Sequence, residues 1–264
     1  MKKPQIGIIG GTGGIGRWFV DFFQKEGYPV QVTGRNTGPD YATLVRQCPV
    51  VVVSVPIKVT SRVIEQVGPF MPEASLLMDL TSLKEKPIKA MLKFSCSEVI
   101  GLHPLFGPRT KSIAGHGMVI CPARGEKWIP WVKNLFHKTK AVVIETTPRR
   151  HDKWMAVVQG LNHLNSITMG LVLDRSNLNL KELEIYATPM FKTKLDILKQ
   201  LFGRESRLYS EIITENPHIH HILREYQGTL SNLKELIVRK NSRKLQKLID
   251  STPLFHPQSD HPPR

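Results

Sequence analysis

Gln5-Ile6-Gly7-Ile8-Ile9-Gly10, then Gly11-Thr12-Gly13-Gly14-Ile15-Gly16, then Arg17 to Lys25: the fold turns on this stretch. The first segment reads as a short buried strand and the second as a glycine loop. The third reads as a helix with Trp18, Phe19, Phe22 and Phe23 on one side, ended by Gly27. A lone G-x-G-x-x-G says little. Between a strand and a helix, inside one βαβ unit, it predicts a phosphate loop for a dinucleotide. Each glycine has an expected task. Gly11 permits the tight turn, Gly13 lets the main chain approach a pyrophosphate, and Gly16 lets the helix pack close on the strand. Thr12, Gly14 and Ile15 complete the loop, and free N–H groups at the helix start face the phosphates.

Working outward, Pro29 to Thr33 is a second strand. Val50 to Val55 is an apolar, β-branched run, the pattern of a strand covered on both faces. Ser75–Leu80, Glu98–Leu102, Met118–Cys121 and Ala141–Glu145 are further strands. Thr60–Val67 and Trp128–Lys138 read as helices between them. Strands alternating with helices predict an α/β, mostly parallel, doubly wound sheet. After Thr147-Pro148 the pattern changes. His151–Leu173, Lys181–Tyr186, Pro189–Leu201, Leu208–Thr214, Pro217–Arg239 and Ser242–Ile249 all read as helices. The expected organisation is a Rossmann dinucleotide-binding domain over 1–147, an all-helical domain over 148–250, and a disordered tail over 251–264, rich in proline and histidine.

The end of the second strand selects the dinucleotide. An NAD site usually has an acid there to bond the ribose 2′-hydroxyl. This chain has Thr33-Gly34-Arg35-Asn36-Thr37 and no acid. Arg35 suits a 2′-phosphate, and Thr33 or Asn36 can add hydrogen bonds. NADP is therefore expected over NAD. Pro56, just past the third strand, joins the candidate cofactor contacts.

The formal charge of +15 favours anionic partners, among them a phosphorylated cofactor or nucleic acid. Arg239, Lys240, Arg243, Lys244 and Lys247 form the one dense basic cluster, read first as a solvated helix face. Three scattered cysteines, Cys48, Cys96 and Cys121, give no metal-ligand spacing and no disulfide framework. With no apolar run of membrane-span length and no signal segment before the first strand, a soluble cytoplasmic chain without metal is expected.

Three more segments narrow the chemistry. Met78-Asp79-Leu80-Thr81-Ser82-Leu83-Lys84 and Gly101-Leu102-His103-Pro104-Leu105-Phe106-Gly107-Pro108 end two strands, where open α/β sheets bind ligands. His151-Asp152-Lys153-Trp154-Met155-Ala156-Val157-Val158-Gln159-Gly160-Leu161-Asn162-His163 opens the helical part. In order and approximate spacing, the glycine loop, D-x-x-S-x-K, H-P-x-F-G-P and H-D-x-x-M-A-x-x-Q-x-x-x-H resemble the prephenate/arogenate dehydrogenase family. Ala187-Thr188-Pro189-Met190-Phe191 and Leu208-Tyr209-Ser210-Glu211-Ile212 extend the resemblance over most of residues 5 to 220.

The resemblance implies oxidative decarboxylation of a small-molecule cyclohexadienol. Hydride passes to the nicotinamide from the ring carbon bearing the hydroxyl, and carbon dioxide leaves the opposite carbon as the ring becomes aromatic. It implies His103 as the catalytic histidine, a role a neutral imidazole suits near pH 7. It also implies Ser82 as the serine that orients the same hydroxyl, with Gln159 and His163 in the substrate pocket. The last two sit four apart, on one face of a helix. Ser82 has a second reading as the cap of a helix begun by Lys84 to Ile88. His151-Asp152 also reads as a helix start, with Asp152 favouring the dipole. His116, His137, His218, His220 and His221 carry no motif and read as surface residues.

One position departs from the family. Where an arginine usually holds a substrate carboxylate, counting back from Leu208-Tyr209 gives Gln200, which cannot form the charged bidentate pair. Lys192, Lys194 and Lys199 are near in sequence, and Lys199 is the adjacent candidate point charge. The expected substrate is prephenate, in tyrosine biosynthesis, with arogenate or an amino-substituted analogue as alternatives. With no regulatory or mutase-like segment read in the sequence, a monofunctional chain is expected, and the resemblance implies a homodimer paired through its helical domain. The rival reading is an NADP-sensing or nucleic-acid-binding protein without catalysis. It rests on the charge and the 239–247 cluster, and it gives no use to Ser82, His103 and His163 together.

Overall fold

The computed structural model describes residues 3–35, 37–203 and 205–255, excluding the side chain of Phe255. Asn36 and positions 256–264 of the expected tail lie outside them. The chain divides after His218 into two compact units.

The first unit begins with β1 (Ile6–Ile9), α1 (Gly14–Lys25), β2 (Val30–Thr33), α2 (Tyr41–Gln47), β3 (Val50–Val53) and α3 (Ile57–Val67). It continues with β4 (Leu76–Asp79), α4 (Glu85–Phe94), β5 (Glu98–Pro104), β6 (Gly117–Arg124), α5 (Ile129–Lys138) and β7 (Val142–Glu145). Then come α6 (Pro148–Met155), a π-helical segment (Ala156–Leu161), α7 (Asn162–Arg175), α8 (Leu180–Ile185), α9 (Pro189–Phe202) and α10 (Ser206–Glu215). The second unit holds α11 (Ile219–Val238), α12 (Ser242–Asp250) and a 3₁₀ turn at Pro253–Phe255. The expected tail is thus a turn at its start.

The sheet order is β2-β1-β3-β4-β5-β6-β7. All pairs are parallel except β5 with β6. Alternation along the strands divides the core between the two faces. Ile6, Ile8, Val50, Val52, Leu76, Met78, Ile100 and Leu102 pack with Phe19 and Phe23 of α1 and Phe136 of α5. Ile9, Val51, Val53, Leu77 and Val99 pack with Leu44 of α2, Ile64 of α3 and Met91 of α4. Each such buried side chain stabilises the fold by roughly 1.5–3 kcal/mol relative to exposure. This is the doubly wound Rossmann architecture expected from the alternation, followed by helices from Pro148 onward.

Register places the site. Thr33, Ile9, Val53, Asp79 and Gly101 lie side by side across the carboxyl edge of the parallel strands. The segments that continue from them, carrying the glycine loop, Ser54, Ser82 and His103, therefore emerge along one edge. Two buried acids of the helical part tie that part to the edge. Asp152 of α6 accepts from the backbone N–H of Lys84 at 2.8 Å and of Glu85 at 2.9 Å, at the start of α4. Glu211 of α10 accepts from Lys58 N at 3.4 Å, at the start of α3. Carboxylates at helix N-termini are favourable through both capping and the dipole.

Asp152 therefore corrects one expectation. It does not start its own helix. Thr147 caps α6, accepting from Arg150 N at 3.3 Å, with Pro148 in the first turn. Asp152 lies inside α6 and serves the dipole of α4 instead.

Candidate active site

A cleft of about 460 Å³ runs along this edge. Gly13, Gly14, Ile15, Gly16, Ser54 and Pro56 line one end; Ser82, His103, Gln159, His163, Glu205 and Tyr209 line the other.

The first end is built from main chain. Gly10, rather than Gly11, takes the left-handed conformation of the turn, at φ 86°. A Cβ on Gly10 would lie 2.1 Å from the carbonyl oxygen of Ser54. Gly11 has its own packing constraint, since a Cβ there would press on Val20 and Val32 at 2.9–3.0 Å. Gly16 meets its expectation: a Cβ there would lie 2.3 Å from Gly10 O, so α1 can approach the strand only without one. Gly13 has nothing closer than Gly10 O at 3.5 Å and leaves the loop open. The first turn of α1 contains no acid, and Ser54 Oγ is buried without a hydrogen-bond partner. Unpaired helix N–H groups, an open glycine loop and an orphaned hydroxyl beside it suit a dinucleotide's phosphates.

At the outer side of this end, Thr12 and Arg35 are exposed. A Cβ on Gly34 would stand 3.9 Å from Thr12 Oγ1, so the β2 turn adjoins the loop. Thr33 is buried, and its hydroxyl is directed to the carbonyls of Thr37 and Pro39 at 3.2 and 2.5 Å. Its hydroxyl proton is thus engaged within the turn, which it shapes.

The second end is built from side chains. His103, 3% exposed, sits on β5. Its Nδ1 lies 2.9 Å from His151 Nε2, and His151 Nδ1 lies 2.7 Å from Asp152 Oδ1. The amide nitrogen of Gln159 is 3.4 Å from His103 Nε2. Burial, and then His151 and the Lys84 ammonium nearby, hold His103 well below the ordinary imidazole range, so it is neutral at pH 7.

Asp79 and Lys84, the ends of D-x-x-S-x-K, form a fully buried pair at 2.5 Å. Lys84 Nζ also donates to Leu102 O at 2.7 Å, one residue before His103. Thr81 N and Thr81 Oγ1 donate to the same Asp79 oxygen. The motif therefore fixes the loop that presents Ser82 and ties it to the strand that presents His103. Ser82 does not cap α4; Lys84 occupies the cap position, and Asp152 supplies the acceptor. Gln159 lies in the π-helical segment and His163 in the first turn of α7, both half-buried.

Two members of this wall, Glu205 and Tyr209, are not among the expected site residues. Glu205 accepts from Tyr209 Oη at 2.9 Å, and the Tyr209 ring stands 4.5 Å from that of His163. Burial, with Glu205 beside it, pushes the Tyr209 hydroxyl up to about 12, and burial lowers His163. Leu208-Tyr209 is legible as part of the resemblance, whereas nothing in the sequence marks Glu205.

Lys199 and Gln200 do not line this cleft. α9 turns Leu195, Leu198 and Leu201 inward, leaving both exposed. Lys199 pairs with Glu184 at 2.5 Å. His218, expected at the surface, is partly buried, 2.6 Å from Glu85. The five basic residues of the 239–247 cluster are all exposed. No helix among the described residues is long and apolar enough to cross a membrane.

Fold and cleft together define a Rossmann-type chain whose glycine-loop end suits a dinucleotide and whose cleft continues past it along one sheet edge. Residues 22–145 match the family model described as prephenate dehydrogenase, nucleotide-binding domain. Residues 147–251 match prephenate dehydrogenase, dimerization domain. The chain belongs to the prephenate/arogenate dehydrogenase family. It is 34% identical to a probable arogenate/prephenate dehydrogenase of Methanocaldococcus jannaschii, over 94% of this chain and 60% of that one. It is 32% identical to the T-protein of Haemophilus influenzae, over 80% of this chain and 56% of that one. It thus spans 56–60% of the length of these two relatives. Its fold matches the crystal structure of prephenate dehydrogenase from A. aeolicus in complex with hydroxyphenyl propionate and NAD+. The TM-score is 0.76 at 19% identity, over 96% of this chain and 97% of that one.

Proposed function

We propose that this chain catalyses oxidative decarboxylation of prephenate to 4-hydroxyphenylpyruvate, a step of tyrosine biosynthesis, with NADP as the cofactor. The observation that carries the reading is His103: neutral, buried, and placed with Ser82 on a cleft that opens onto the glycine loop. Gly13 to Gly16 and the start of α1 would hold the dinucleotide, whose nicotinamide supplies the hydride acceptor. Ser82 orients the substrate hydroxyl. His103 takes its proton as hydride leaves the same ring carbon. The C–C bond to the departing carboxylate breaks, its electrons complete the aromatic ring, and the ring oxygen takes the proton back from His103 as the phenol hydroxyl.

NADP is favoured by Arg35 and by the lack of an acid at the end of β2. A homodimer is supported by the dimerization-domain match and by α7, which buries no residue in the single chain and exposes Leu171 and Val172. Arogenate is the second reading, because Glu205 is the one carboxylate among the described residues lining the cleft, and it would pair with an ammonium.

Reduced cofactor and carbon dioxide are to be followed with the purified chain, supplying prephenate or arogenate with NADP or NAD. Faster turnover on prephenate with NADP is expected. Faster turnover on arogenate moves the reading to the second substrate. No turnover in any of the four combinations sinks it.

A further inference from the structure

The buried groups behind His103 form a chain of hydrogen bonds with a direction. Asp152 is fully buried, and its two oxygens accept from two backbone N–H groups of α4's cap and first turn. A carboxylate so engaged can only accept, so the His151 nitrogen 2.7 Å from it, Nδ1, carries a hydrogen. Where both rings are neutral, the hydrogen on Nδ1 makes His151 Nε2 an acceptor. It then accepts from Nδ1–H of His103 across 2.9 Å. That leaves the lone pair of His103 on Nε2.

Gln159 stands on the other side of the ring, its amide 3.4 Å from His103 Nε2, and with its NH2 turned to the ring it donates to that bare nitrogen. The charged groups around the chain do not reverse the assignment. Lys84 and Asp79 are paired with each other, as are Glu85 and His218, and the Cys121 thiol is pushed up to about 12 by burial.

We propose that His151 and Asp152 are positioning residues that hold His103 in the tautomer whose bare Nε2 serves as the base. The inference rests on the proposed role of His103. Once Nε2 accepts the hydroxyl proton, the imidazolium keeps Nδ1–H on His151, and Asp152 stabilises the positive charge through the second ring. The same logic governs a histidine base oriented by a buried carboxylate, here with one more imidazole interposed.

The first test needs no turnover. Nitrogen-15 NMR of the intact protein, with the His103 signals assigned by their loss in His103→Gln, should show Nδ1 protonated and Nε2 bare. A protonated Nε2 overturns the proposal whatever the substrate. The second test compares His151→Phe with His151→Gln, checking each for native unfolding behaviour. Phenylalanine removes the acceptor, and kcat should fall on the order of 10²-fold with KM and cofactor affinity nearly unchanged. Glutamine restores an acceptor and should recover about tenfold of that loss. Equal kcat in the two variants overturns the proposal. If NMR gives the expected tautomer but His103→Asn remains fully active, the function reading fails and the tautomer assignment stands.

Discussion

The two ends of the cleft are made of different material. The cofactor end is main chain: a left-handed Gly10, a Gly16 that admits no Cβ, and the bare start of α1. The catalytic end is side chains, with His103 and His151 hydrogen-bonded although 48 positions apart, and Asp152 joined to Lys84 across 68. A main-chain site depends on what its own few residues lack. A side-chain site depends on distant elements holding still, and the buried acids and the Asp79–Lys84 pair supply that restraint.

The difference can be broken at either end. Lys84→Met leaves the Asp79 carboxylate buried without its cation, and should cost about 3–5 kcal/mol of stability in urea unfolding. A loss below about 1 kcal/mol would mean the catalytic end is held by something else. At the main-chain end, Gly10→Ala and Gly13→Ala should separate. The added Cβ on Gly10 meets Ser54 O in a left-handed backbone, so it should cost about 1–3 kcal/mol of stability and also weaken cofactor binding. The Cβ on Gly13 meets no atom of the chain closer than 3.5 Å, so stability should hold while dinucleotide affinity falls. Equal stabilities for the two would remove the distinction.

Arg35→Ala should lower affinity for NADP about tenfold, equivalent to about 1.4 kcal/mol, and leave NAD binding unchanged. Equal effects on both would detach Arg35 from the 2′-phosphate. The smallest effect concerns pH. Burial keeps His103 neutral when folded, whereas the unfolded chain protonates it near its ordinary value of 6.5. Its contribution to stability is therefore present above that value and lost below it, with a slope of at most about 1.4 kcal/mol per pH unit. The melting temperature should fall between about pH 7.5 and 5.5, and less steeply in His103→Asn.

These contrasts explain what is legible in the sequence. The loop, the strand alternation and the change to helices after Thr147 are local patterns, and the fold follows from them. α2 is not legible, although Asp40 caps it, accepting from Thr43 N at 2.7 Å, because its seven residues carry too short a periodicity. The motif assigns Gly11 to the turn that Gly10 makes, because G-x-G-x-x-G counts from the wrong side of two adjacent glycines. Asp152 reads as a helix-dipole residue, and it is one. Which helix it serves is a tertiary fact. Lys199 is a candidate only by its nearness in sequence to Gln200. The rotation of α9 puts both outside the cleft, and no count along the chain reports that rotation.

The most direct measurement is the turnover of His103→Asn, followed as reduced NADP on prephenate beside the unsubstituted protein, with cofactor affinity measured in parallel. Turnover lower by about 10²–10⁴-fold with unchanged cofactor affinity is the predicted result. Full turnover in the variant would contradict the role of His103 as the base.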